Sequence, residues 1–147
     1  MQTQSDIEAL AYAKLQDAEL LLANERFDSA YYLAGYAVEL LLKARVCKTL
    51  GIPDFFDFQS STRTKFKNES VITRPYRVHD YEQLMILSGI YGEYQREMEE
   101  NPVFSILWSI LLEWNENSRY LTGINSERVK KFLTSVKEAL TWIQKHL

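Results

Sequence analysis

Cysteine is nearly missing from this chain of 147 residues, where Cys47 stands alone. One thiol builds neither an internal disulfide framework nor the multi-thiolate set of a structural zinc site. Histidine is almost as scarce, with only His79 and His146, so a histidine-built metal centre is not expected and no metal or cofactor is assigned. There are 5 glycines and 3 prolines. A sandwich or barrel of this size needs more turn residues, so the shortage favours long helices. No stretch approaches the roughly 18 apolar residues of a membrane span. The opening MQTQSDIEAL has no basic segment leading into an apolar one, the mark of a secretory signal. Charge of one sign is lacking too: 17 basic residues stand against 20 acidic ones, for a net charge of −3. That balance does not suit a protein that coats nucleic acid over its whole surface, although it leaves room for a local basic patch. The expectation is one cytoplasmic domain over residues 1–147, away from membranes.

What is present is helical periodicity. The chain is 46% hydrophobic and 25% charged, the balance of an ordinary globular protein. From Ser5 to Asn24, Ile7, Leu10, Ala11, Ala18, Leu21 and Leu22 recur at steps of three and four, with Ser5 placed to cap the run. Asp28 is the expected N-cap of a second helix, from Ser29 to about Leu50, which Gly51 and Pro53 terminate. Gly35 in the middle of that helix costs roughly 1 kcal/mol relative to alanine, a cost that a close helix approach would offset. A third helix is expected to start near His79, with Asp80 and Gln83 at capping-box spacing. Gly89 and Gly92 predict a break, followed by a charged helical turn or two over Glu93 to Glu100. Asn101-Pro102 reads as N-cap plus first helical residue of a fourth helix that ends near Asn115 to Ser118. The last helix, Ser126 to His146, has the cleanest period, through Val129, Phe132, Leu133, Val136, Leu140 and Ile143. Its basic residues Arg128, Lys130, Lys131, Lys137 and Lys145 read as the wet face.

Residues 54–78 are the least regular part. Arg63, Lys65, Lys67, Arg74 and Arg77 stand there against the single acid Glu69 between Arg63 and Arg77. This stretch reads either as a solvated surface loop, with a short hairpin around Thr62 to Ile72, or as a phosphate grip with Phe66 and Tyr76 for base stacking. The fold expected is an all-α up-and-down bundle of four to five helices, with one long irregular loop between the second and third.

Three pieces of the chain resemble a known family. The run Phe27-Asp28-Ser29-Ala30-Tyr31-Tyr32-Leu33-Ala34-Gly35-Tyr36-Ala37-Val38-Glu39-Leu40-Leu41-Leu42-Lys43-Ala44 is similar to the signature helix of HEPN domains (higher eukaryotes and prokaryotes nucleotide-binding). His79-Asp80-Tyr81-Glu82-Gln83-Leu84 resembles the family's His-Asp-Leu helix start, and Trp114 to Arg119-Tyr120 its Trp…Arg-Tyr segment. The resemblance implies a helical bundle that usually dimerises. It also implies a nucleotide or RNA ligand, or a minimal nucleotidyltransferase as partner, as in toxin–antitoxin pairs. HEPN ribonucleases carry an Arg followed after four to six residues by a His; here Arg119 is followed by Tyr120-Leu121-Thr122-Gly123-Ile124-Asn125-Ser126, with no histidine. Only Arg74 and His79 satisfy the spacing, and they lie elsewhere in the chain.

Metal-free RNA cleavage needs a base, an acid and a cation. Arg119 offers the cation, but tyrosine, with an ordinary pKa of roughly 10, is a poor base. A non-catalytic, dimeric binding module is therefore the first expectation. A divergent ribonuclease using Arg119 with Tyr120, or Arg74 with His79, is the alternative. Ligand-binding candidates are Arg119, Tyr120, Glu39, Lys43, His79, Asp80, Arg74 and Arg77. Arg119 also has a structural reading: it complements a helix C-terminus, or pairs with Glu39 or Glu113. Glu39 lies in an apolar run, and a carboxylate buried there needs a partner, for which Arg119 is the first candidate and Lys43 the second. Tyr31, Tyr32 and Tyr36 read as core or interface aromatics, and the nineteen aromatics exceed what one small core easily hides, which adds to the case for a dimer.

Overall fold

The computed structural model describes residues 3–52 and 79–147, and all regular structure in them is helical. Six α-helices are present among the described residues: α1 (Gln4–Ala23), α2 (Phe27–Leu50), α3 (Tyr81–Ser88), α4 (Tyr91–Glu100), α5 (Pro102–Leu111) and α6 (Ser126–Lys145). A 3-10 turn, Glu116–Tyr120, joins α5 to the approach to α6. The all-α bundle expected from the sequence agrees with this, while the segment expected to contain the basic loop and hairpin lies outside the described residues. No described helix is long and apolar enough to cross a membrane.

α2 is the central rod. It packs against α1, α3, α6 and the 3-10 turn, and its buried residues, from Ala30 to Cys47, lie on all sides of the helix. Such all-round burial is what a helix with neighbours on every face requires. α6 runs parallel to it. At one end Asp28 accepts from the backbone N–H groups of Gly123 and Ile124, at 3.2 and 2.9 Å. Further along, Tyr31 packs on Phe132 with centroids 4.2 Å apart. At the far end Lys48 donates to the Leu147 carbonyl. α1 runs antiparallel to α6: Gln144 donates to Glu8 and accepts from Tyr12, while Lys137 pairs with Glu19 nearer the other end. α4 and α5 close the far side through an aromatic cluster in which Trp108 meets Tyr94, Phe104 and Trp142.

Several local expectations need correction. α1 is capped by Thr3 in a reciprocal box with Asp6, not by Ser5, which lies within the helix. α2 starts at Phe27 behind Arg26, without a side-chain cap. Asp28 already sits in its first turn, and its carboxylate is taken by the loop before α6. Gly89 does break the chain, in the left-handed conformation at φ 78°. Gly92 does not; it lies inside α4, a full helix of 10 residues where only a turn or two was expected. That α4 is mostly exposed and charged explains why its single buried residue, Tyr94, gave no period to read. α5 ends at Leu111 rather than near Asn115, because Asn115 turns the chain and caps the 3-10 segment with Ser118.

Candidate functional site

The site is built on one face of α2, where Gly35, Glu39 and Lys43 follow at intervals of four and so stack on successive turns. Gly35 sits where the Trp114 indole lies flat on the helix. A Cβ there would come 2.3 Å from the indole Nε1, so only glycine admits the ring. The close approach expected at the mid-helix glycine is therefore made by a side chain from the turn after α5, not by a neighbouring helix. Trp114 in turn stacks on Tyr81, nearly parallel at 5.4 Å, and on Tyr32 at 5.9 Å. The Tyr81 hydroxyl donates to the Gly35 carbonyl at 2.7 Å. Burial pushes the Tyr81 hydroxyl well above its ordinary pKa, with the nearby Glu39 charge acting in the same direction.

One turn on, Glu39 is 1% exposed. Its Oε1 accepts from the Lys43 ammonium at 2.6 Å and lies 2.9 Å from Nδ1 of His79. Nε2 of the same ring stands 3.2 Å from Glu116 of the 3-10 turn. His79 therefore bridges a carboxylate of the core and one at the surface. It joins the start of α3 to both α2 and the turn that bears Arg119. Asp80, next in sequence, caps α3 by accepting from the Gln83 N–H at 3.0 Å.

The expected Glu39–Arg119 pair is not formed. Lys43, the second candidate, holds the carboxylate together with His79, and Glu113 pairs with Arg128 rather than with Arg119. Arg119 is exposed, with its guanidinium over the Tyr120 ring at 4.8 Å, and Glu116 is the residue of that turn that meets His79. Tyr120 is 70% exposed. Arg119 also lines an open groove of about 370 Å³ with Leu21, Asp28, Ser29, Tyr32 and Leu33. Arg74 and Arg77 lie outside the described residues, so the structure places neither of them.

Of the eight candidates, then, Glu39, Lys43 and His79 form one polar cluster. Asp80 is a helix cap beside it, and Arg119 with Tyr120 forms the rim. Glu116, Trp114 and Tyr32 complete the corner and were not singled out as site residues. The clue to Trp114 was Gly35, a gap in α2 that some large side chain has to fill. Nothing in the sequence pointed to Glu116. Among the described residues no group of three or more His, Cys, Asp or Glu side chains converges on a point where a metal could sit. In particular, Glu39 and Glu116 face different nitrogens of the His79 ring. Cys47 is buried. No family model, curated protein or solved structure matches the chain.

Proposed function

We propose that the chain is a HEPN-like binding module that pairs with a second copy. In this reading it takes a phosphate-bearing ligand, a nucleotide or an RNA strand, at the Arg119 corner without cleaving it. One observation carries this reading. The three separate stretches that resemble the family's motifs meet at a single corner, around Gly35 and Glu39, and leave Arg119 and Tyr120 outermost. A guanidinium held over a tyrosine ring, beside a groove walled by Tyr32, offers a cation for phosphate and aromatic surface for a base.

Binding is favoured over turnover by the surroundings of His79. Both of its ring nitrogens face carboxylate oxygens, so neither is aimed outward to take a proton from a ribose hydroxyl. The ring instead works as a strut between α2 and the Arg119 turn.

The test is fluorescence anisotropy with a labelled single-stranded RNA and with labelled nucleotides at low salt. Binding is expected, weakened by Arg119→Ala, with the slope of affinity against salt reduced by about one. Failure of the wild-type chain to bind either probe would overturn the reading. So would chelator-resistant RNA cleavage that disappears in His79→Ala.

A further inference from the structure

α5 carries large apolar residues on both of its faces, with Ser105 and Ser109 alongside them on the outer one. Its inner side places Phe104, Leu107, Trp108 and Leu111 in the core. Its outer side carries Val103 and Ile106, 69% and 65% exposed, with Ile110 half-buried one turn further along. No charged residue interrupts Pro102–Leu111. A helix with large apolar residues on its outer side as well is suited to a second packed layer, and among the described residues α5 has only one.

The charges around this stripe say what fits it. At the N-terminal end, the corner between α4 and α5 presents the exposed acids Glu99 and Glu100. At the C-terminal end an open groove of about 680 Å³ begins at Ile110 and is walled by Glu113, Glu127, Arg128 and Lys131. Glu113 is matched by Arg128, at 3.6 Å. Glu127 is matched by Lys130, at 3.7 Å. Lys131 has no ion-pair partner among the described residues, nor do Glu99 and Glu100. The charges left unmatched among the described residues are thus acidic at one end and basic at the other, over a helix roughly 15 Å long. Such a polar arrangement fits its own antiparallel copy, because a two-fold axis brings unlike ends together.

We infer that α5 is the surface through which two copies of this chain associate. The helices lie antiparallel about Ile106, and the Glu99–Glu100 corner of each copy enters the groove beside Lys131 of the other. Val103 of each copy then meets Ile110 of its partner. The inference rests on the dimeric part of the proposed function and adds to it the face and the orientation.

The experiment measures mass by light scattering across a dilution series of the full chain, with circular dichroism as the control for folding. The wild type is expected at twice 17.2 kDa at tens of micromolar. Ile106→Glu sets two carboxylates against each other at the axis and raises the dissociation constant at least about tenfold, with the helical signal unchanged. Glu100→Lys weakens association, and adding Lys131→Glu on the same chain restores it by exchanging the two ends. A wild-type monomer, or a dimer that survives Ile106→Glu with the fold intact, overturns the inference, as does a double variant no tighter than Glu100→Lys alone. Anisotropy with the RNA probe on the same samples separates the two conclusions. A dimer that binds no probe defeats only the binding role; a dimer that survives Ile106→Glu and still binds defeats only the interface; a monomer that binds defeats the pairing and the interface together and leaves the binding role.

Discussion

α2 and α6 lie side by side in the same direction, 24 and 20 residues long, and are built on opposite plans. Along α6, Val129, Phe132, Leu133, Val136, Leu140 and Ile143 are buried, while Lys130, Lys131 and Lys137 stay in water. Any residue of α6 is therefore inside or outside by its place in the period. α2 has neighbours on all sides, and within its buried length it holds a carboxylate, a glycine under an indole, and a carbonyl bonded to a buried tyrosine. A one-faced helix tolerates many sequences that keep the pattern. A central helix carrying a charge depends on particular atoms, and this is where the candidate site sits.

That contrast can be broken by mutation. The largest effect is expected for Glu39→Ala, which leaves Lys43 and His79 facing an apolar gap. Removing one member of a buried ion pair costs about 3–5 kcal/mol, and urea denaturation measures the loss; a cost under about 1 kcal/mol would place Glu39 with the surface charges. Next comes Gly35→Ala. Elsewhere in a helix this change stabilises by up to about 1 kcal/mol. Here the added methyl overlaps Trp114, and a net loss of about 1–3 kcal/mol is expected. Part of that loss should be recovered in a Trp114→Leu background. A stabilised Gly35→Ala would mean that the indole does not lie on the helix.

Tyr81→Phe removes the bond to Gly35 and is expected to cost about 1 kcal/mol near neutral pH. Its pH dependence sharpens the point. Burial holds the folded-state pKa of Tyr81 well above the ordinary 10.0, so the unfolded chain loses this proton first. The associated stability is complete below pH 10.0 and is lost as the pH rises beyond it. The gap between wild type and Tyr81→Phe should therefore narrow in alkaline solution, and thermal melts from neutral pH upward would show it. A widening gap would contradict the assignment. The smallest effect is expected on α6, where Lys137→Ala removes a surface pair with Glu19 and changes stability by less than about 1 kcal/mol.

The sequence was most readable where a helix has one wet face. The limits of α6 and the Asn101-Pro102 start of α5 followed from period and caps alone. α4 was under-read because a mostly exposed helix shows no stripe, and the end of α5 was placed too late because Asn115 caps a 3-10 turn that looks like helix in sequence. For the site, Glu39 was identified as a buried acid in need of a partner, and Lys43 follows from its spacing of four. His79 reaches Glu39 from 40 residues further along the chain, and Glu116 reaches His79 in turn, through tertiary packing, which no local pattern encodes. Arg119 was the better electrostatic choice on paper. It loses to His79 because its guanidinium lies at the surface over the Tyr120 ring, while the His79 ring already occupies the carboxylate.

The direct test of the central claim is a double-mutant cycle on Glu39 and His79, using Glu39→Gln, His79→Gln and the double variant, with stability read from urea unfolding. Residues in direct contact couple by roughly 0.5–3 kcal/mol, and distant ones add to within about 0.3–0.5. A coupling of about 1 kcal/mol or more is predicted, because each single variant already breaks the contact that the double variant removes. Simple additivity of the two substitutions would contradict the bridge between the core carboxylate and the start of α3.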